Sequence, residues 1–308
     1  MRAILLLLSL STLLPHSALS ASCCGGGASF PSLITGDFWS QFNSSYAYSS
    51  VIGDADTGGR AIFRNKDNDE ITQTMKVDGS YLIADYWQAG LSVPVVKREK
   101  KYYSSQSEST GLGDINAQVS YEFLPELLYS PWKPRGFVYA GITVPTAPSV
   151  YDFNDSLGAD ARGRGFYTFD VGISFLKTKG LWDYVAMASV SQSLNKQYSA
   201  RSGERGMIYS SPGVMALVGL GYTPGSTSAW RLGGSLAPRY EGAKVVEGRT
   251  STLTEYQLVW DSMLSLSYLF EKEMSFSAQY LDQTLVGPAH NTTLSRTISL
   301  NLQRRFSL

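Results

Sequence analysis

The stretch Gly165-Phe166-Tyr167-Thr168-Phe169-Asp170-Val171-Gly172-Ile173-Ser174-Phe175-Leu176 sets Tyr167, Phe169, Val171, Ile173 and Phe175 on alternate positions, with Thr168, Asp170, Gly172 and Ser174 between them. Residues 114–123 repeat the pattern, with Ile115, Ala117, Val119, Tyr121 and Phe123 against Asp114, Asn116, Gln118, Ser120 and Glu122. Successive side chains of an extended chain point to opposite faces, so each segment reads as a strand. One face is apolar, and the other carries carboxylates and amides. A helix would need apolar residues every three or four positions, and the chain beyond the leader carries very little of that period.

Working outward, the same alternation marks residues 36–50, 70–82, 87–97, 112–123, 136–144, 165–176, 181–193, 208–222, 229–240, 252–269, 273–285 and 292–308. Twelve is an even number, and most lengths suit tilted membrane-spanning strands, which need about 9–11 residues in the hydrocarbon. Short turns join several pairs, around Ala84-Asp85, at 177–180, at 223–226 and at 271–273. A longer link, 124–135, contains Pro125, Pro131 and Pro134. The alternate connections 51–69, 98–111, 145–164, 194–207 and 241–251 are long and polar, and only 286–291 is short. Short periplasmic turns opposite long external loops are the signature of outer-membrane barrels. Rings near strand ends fit an interfacial girdle: Trp87, Phe123, Phe137, Phe175, Trp182, Tyr222, Trp230, Tyr240, Tyr268 and Phe306. Arg304 interrupts the apolar row of the last segment and is tolerable there only near an interface. The expected fold is all-β, a twelve-stranded transmembrane antiparallel barrel over 36–308 in the outer membrane. A soluble sandwich would alternate too; strand length, loop asymmetry and low charge decide against it.

Composition agrees. The 308 residues hold 26 basic and 26 acidic side chains, so only 17% are charged, against roughly 25% in ordinary soluble domains. Balanced charge argues against a protein held to nucleic acid by phosphate contacts. Both cysteines sit together as Cys23-Cys24, which excludes a disulfide framework. Arg2, the apolar run from Ala3 to Leu14 and the small residues Ala18-Leu19-Ser20 read as a signal peptide over 1–20. Residues 21–35, with three glycines and Pro31, form a periplasmic leader or small plug anchored by Phe30, Leu33 or Ile34.

With the apolar face on lipid, the other face lines the lumen. It offers Asp114, Asn116, Gln118, Glu122, Asp170, Asp183, Arg231, Arg239, Asp261, Gln303 and Arg305. Opposed acids and bases across a lumen define a narrow polar path, or fill a small barrel with ion pairs. Val185, Met187, Met215 and Leu217 also fall on the inward parity and mark an apolar ligand patch or interior packing.

Catalysis finds little support. The one histidine beyond the leader, His290, lacks the partners of a nucleophilic triad or a zinc site, and no cofactor is expected. Asp54, Asp56, Asp67 and Asp69 lie in one connection and are candidate ligands for a loop calcium ion, although the twelve-residue spacing is absent. Lys97-Arg98-Glu99-Lys100-Lys101 reads as a basic loop suited to anionic headgroups. Expected partners are outer-membrane lipid, lipopolysaccharide and a small hydrophobic solute; the oligomeric state is open.

The run Tyr86-Trp87-Gln88-Ala89-Gly90-Leu91-Ser92-Val93-Pro94-Val95, followed by Gly111-Leu112-Gly113-Asp114-Ile115, resembles a strand ending in Val-Pro, a long loop and a Gly-Leu-Gly-Asp re-entry. That pattern belongs to the MetA-pathway (phenol-degradation meta-pathway) family of outer-membrane proteins, distantly similar to FadL-type channels. Gly141-Ile142-Thr143-Val144-Pro145-Thr146 and Phe169-Asp170-Val171-Gly172 follow the same style. The resemblance, specific over about 75–175, implies an outer-membrane channel for passive uptake or binding of small hydrophobic solutes. The alternative is a non-conducting barrel with a filled lumen and working external loops.

Overall fold

The computed structural model describes residues 32–36, 38–65, 67–199, 205–225, 228–248, 251–271 and 273–307. The expected signal peptide over 1–20, Phe30 and Cys23-Cys24 lie outside them. Along the chain run β1 (Phe38–Ala55), β2 (Ala61–Phe63), β3 (Asn68–Ala84), β4 (Trp87–Tyr102), β5 (Ser105–Leu112) and β6 (Ile115–Leu124). Next come β7 (Arg135–Val144), β8 (Thr168–Lys179), β9 (Trp182–Ser193), β10 (Lys196–Ser199), β11 (Arg205–Ser210) and β12 (Gly213–Tyr222). The series ends with β13 (Trp230–Glu241), β14 (Lys244–Glu247), β15 (Ser251–Thr254), β16 (Gln257–Glu271), β17 (Met274–Asp282) and β18 (Thr292–Ser307).

Twelve of these, β1, β3, β4, β6, β7, β8, β9, β12, β13, β16, β17 and β18, pair antiparallel in chain order. The first closes on the last, from Phe38 opposite Ser307 to Ala55 opposite Thr292. Closure leaves no open sheet edge, so every backbone group of the wall has a partner without water, which the hydrocarbon demands. All twelve expected segments are barrel strands.

Alternation sorts the side chains as expected. On β18, Ile298, Leu300 and Leu302 face outward and exposed, while Asn301, Gln303 and Arg305 are buried inside. Arg304 shares the outward parity; its guanidinium lies 5.1 Å from the ring centroid of Phe306, at the periplasmic rim. That placement matters because an arginine at the midplane of the lipid face costs about 2–4 kcal/mol. Near the periplasmic ends, rings pair directly across neighbouring strands: Trp87 with Tyr121, Trp182 with Tyr222 and Trp230 with Tyr268, at centroid separations of 4.9, 4.6 and 4.6 Å. Phe137 is the exception to the expected girdle, since its ring is buried in the lumen beneath Arg135.

The extracellular end departs further from expectation. The connection 98–111 is not a loop: β4 runs on to Tyr102 and turns back as β5, with Val95 opposite Leu112. The basic run 97–101 therefore lies on a strand. Connections 194–212 and 242–256 together supply a separate four-stranded sheet in the order β10-β11-β14-β15.

Candidate functional site

A cavity of about 530 Å³ occupies the lumen. Its wall carries Lys76, Asp78, Asn116, Gln118, Asp170 and Arg239, beside Val96, Tyr139 and Met215. Segments from outside the barrel wall bound it at both ends.

At the periplasmic end, the residues before β1 enter the barrel. Leu33 and Ile34 are almost fully buried. The Gln88 side chain grips Ile34 like a neighbouring strand: Ile34 N–H donates to Gln88 Oε1 at 2.8 Å, and Gln88 Nε2 donates to the Ile34 carbonyl at 2.9 Å. Ser80 Oγ and Gln118 Nε2 both donate to the Ser32 carbonyl, at 2.9 and 3.2 Å. Gln41 and Asn43 donate to the Ser32 hydroxyl. Three strands thus satisfy the backbone of a segment that would otherwise bury bare polar groups, the condition for burying irregular chain at all, and β1 holds its Ser32 hydroxyl.

Below and beside this segment, ion pairs and apolar side chains fill the barrel. Arg135 binds Glu122 through two hydrogen bonds of 2.7 Å. Arg231 binds Asp183 in the same forked way, at 2.7 and 2.5 Å, with both side chains buried. Gly221, on the intervening strand, makes room: a Cβ there would come within 1.9 Å of Arg231 Nη2. Farther up, Tyr139, Val185, Met187, Leu217 and Ala237 form one buried cluster, with Leu176 and Met215 packed against it. Gly172 leaves the space for the Tyr139 ring. Val185, Met187 and Leu217 therefore pack on one another, while Met215 and Tyr139 reach the cavity.

At the extracellular end, the connection between β7 and β8 folds inward as a lid. Ser149 and Ala159 are fully buried, and Ala161 and Phe166 nearly so. Asp114 holds both ends of the lid. Its Oδ1 accepts from Ala147 N–H at 3.3 Å, and its Oδ2 from Arg164 N–H at 2.6 Å. The Gly113-Asp114 re-entry thus has a stated job: it turns a carboxylate toward two orphan backbone donors. Within the lid, Asp155 Oδ2 accepts from Leu157 and Ala159 N–H, each at 3.0 Å, and Asp160 accepts from Asn154 N–H at 2.8 Å. Hydrogen bonds from Ser107 and from the Ala159 N–H hold the Asp155 carboxyl below its ordinary range. Arg98 reaches in from β4 to donate to the Ala161 carbonyl and pairs with Glu70; Arg64 links Glu70 to Asp54.

The calcium cage is not assembled. Asp54 pairs with Arg64, and Asp56 Oδ1 instead caps the turn by accepting from Gly58 and Arg60 N–H, at 2.9 and 2.8 Å. Asp69 stands opposite Lys101 on β4, and Asp67 precedes β3. Among the described residues no group of three metal-ligating side chains comes together. Of the four aspartates, Asp54 is the one that Arg64 pairs with.

The polar residues read from the sequence do line or fill the lumen. Asn116, Gln118, Asp114, Asp170 and Arg239 face the cavity. Glu122, Asp183, Arg231, Asp261, Gln303 and Arg305 are buried around it, with Arg239 paired to Asp261 at 2.8 Å. Asp170 has no hydrogen-bond or ion-pair partner among the described residues, and it fills space left by Gly141. Sequence reasoning missed Gln88, Tyr139, Arg135, Lys76 and Asp78. Strand parity already places Gln88 beside Gly90 and Tyr139 beside Gly141, so the signal was present; only the partner segments were not visible.

No family model matches the chain. Among solved structures it is similar to an outer-membrane channel from Pseudomonas putida F1, at a TM-score of 0.71 and 12% identity, covering 89% of this chain and 97% of that one. The transport unit of the autotransporter AIDA-I from Escherichia coli gives a TM-score of 0.49 at 8% identity, covering 92% and 95%. The monoaromatic hydrocarbon channel CymD gives 0.41 at 9%, covering 87% and 88%. The first likeness is one of fold, and the chain is an outer-membrane-type β-barrel.

Proposed function

We propose that this barrel is a passive outer-membrane channel for small solutes with a hydrophobic body, of the kind the MetA-pathway resemblance implies. One observation carries the reading: the lumen holds a cavity of about 530 Å³ whose largely polar wall also presents Tyr139 and Met215. A barrel built only for mechanical strength gains from filling that volume, because close packing stabilises interiors. The extracellular closure is a loop rather than the wall itself, and the periplasmic one includes a short segment held by wall side chains. No energy-coupling motif is visible, so movement would follow the gradient.

A second reading, a sealed barrel working through its external surface, draws on the β10-β11-β14-β15 sheet, an investment of chain that a pore does not require. The two separate in reconstituted bilayers. For a channel, the purified protein gives discrete conductance steps, and proteoliposomes take up phenol faster than empty liposomes do. Loosening the lid by Asp114→Ala increases both. Silence in the two assays, for the wild type and for the loosened variant, overturns the channel reading and favours the sealed barrel.

A further inference from the structure

Among the described residues, the link between β6 and β7 is unlike the other periplasmic turns of this barrel. Residues 125–134 expose four large apolar side chains: Leu127 at 77%, Leu128 at 85%, Tyr129 at 68% and Trp132 at 79%. Pro125, Pro131 and Pro134 restrict the chain, and the Glu126 carboxylate accepts from Ser130 N–H at 3.0 Å. A conformation fixed in this way displays its rings rather than shedding them.

The direction of the display follows from strand parity on β8. Thr168 and Ser174 are buried inward, and Leu176 packs on the interior cluster. Lys177 and Lys179 therefore share the outward parity of Phe169, Val171 and Phe175. The link folds onto these outward lysines. Lys177 pairs with Glu126 and lies 4.9 Å from the Tyr129 ring centroid, and Lys179 lies 3.9 Å from that of Trp132. Phe123 packs edge-on against Phe175 at 6.0 Å just above. The apolar group thus lies on the outer perimeter at the level of the aromatic girdle, not across the mouth. Lys133, Lys177 and Lys179 against Glu126 leave the patch with a positive excess.

We propose that the 125–134 link is an interfacial anchor that binds anionic phospholipid of the periplasmic leaflet. Leu127, Leu128 and Trp132 enter the boundary between headgroups and acyl chains, and Lys133 and Lys179 receive the phosphate. The chemistry is that of interfacial segments generally: rings and leucines buried a few ångströms deep, with basic residues at the charged surface. A periplasmic protein partner would need these side chains to face away from the membrane, whereas the contacts of Tyr129 with Lys177 and of Trp132 with Lys179 hold those two rings against the outer wall.

Full-length protein reconstituted in phosphatidylglycerol-containing vesicles tests this through tryptophan fluorescence. Phospholipids brominated near the headgroup end of the acyl chain quench the component that Trp132→Phe removes, whereas iodide in the water does not. Phosphatidylglycerol retained on the detergent-released protein, read by native mass spectrometry, falls about fivefold for each of Lys133→Gln and Lys179→Gln. Heat-modifiable gel migration confirms that these variants remain folded barrels. Quenching of Trp132 by iodide alone puts the link in the periplasm, where a protein-docking surface belongs, and overturns the proposal. Lipid retention independent of headgroup charge overturns the phosphate site.

Discussion

The two mouths of the barrel are closed in different ways. At the periplasmic end the closure belongs to the wall: forked pairs Glu122–Arg135 and Asp183–Arg231, the buried ring of Phe137, and a short segment gripped by Gln88. At the extracellular end it belongs to a loop of some twenty residues whose two ends meet at one carboxylate, Asp114. Removing a wall ion pair of the first closure is expected to weaken the barrel, whereas removing Asp114 is expected to loosen the lid and leave the barrel standing. The comparison therefore separates stability from gating, and each substitution below weighs one against the other.

The largest effect belongs to the wall. Arg231→Met leaves Asp183 buried without its forked partner, and stripping one member from a buried pair typically costs about 3–5 kcal/mol. Urea titration of the variant in micelles shows the loss, while Asp183→Leu combined with Arg231→Met recovers most of it. If the single and double variants are equally stable, the pair is not what holds this end together.

Asp114→Ala comes next and changes a different observable. Two hydrogen bonds to a charged acceptor disappear, together worth about 2–3 kcal/mol at this partly wetted rim. The cost falls on the lid alone. Protease cleavage between residues 150 and 162 accelerates and conductance rises, while the unfolding midpoint of the barrel barely moves. A midpoint that falls as far as that of Arg231→Met erases the distinction between the two mouths.

Gln88→Ala probes the gripped segment. Two neutral hydrogen bonds to Ile34 vanish, worth about 1–3 kcal/mol in total, and Ser80 and Gln118 still hold Ser32. We expect a modest rise in open time, smaller than that of Asp114→Ala, read in the same planar bilayers. An effect larger than that of Asp114→Ala identifies the periplasmic segment as the tighter gate.

How much of this was legible follows the same division. Alternation is a local property, so Phe169 to Phe175 declare their faces without any neighbour, and all twelve wall strands follow from it. Interior polar residues such as Asp183 and Arg231 come along by parity. What alternation does not carry is the partner across the lumen. Asp114 reads as an inward acid at the rim, yet its work depends on Ala147 and Arg164, 33 and 50 residues away. The four aspartates of the first connection illustrate the converse. Their proximity in sequence suggested a cation, but Arg64 takes Asp54, a competition that spacing does not show. The basic run 97–101 misled for a related reason, because charged residues can extend a strand beyond the hydrocarbon, where nothing penalises them.

The smallest effect is a pH dependence confined to the lid. Asp155 caps the Leu157 and Ala159 amides, and its carboxyl titrates below the ordinary value of 3.8 because Ser107 and those N–H groups hydrogen-bond its charged form. A carboxyl whose folded-state pKa is depressed contributes stability that is complete above its unfolded value. That contribution is lost as pH falls through the folded value, so the lid loosens only on the acid side of 3.8. Conductance recorded from neutral pH downward stays flat until that region and then rises, and Asp155→Asn removes the acid-induced component of the rise. The unfolding midpoint of the barrel, measured over the same pH range, separates loosening of the lid from unfolding of the wall. A rise that begins near neutrality, or that persists unchanged in Asp155→Asn, places the acid-sensitive element outside the lid and assigns this mouth a different latch.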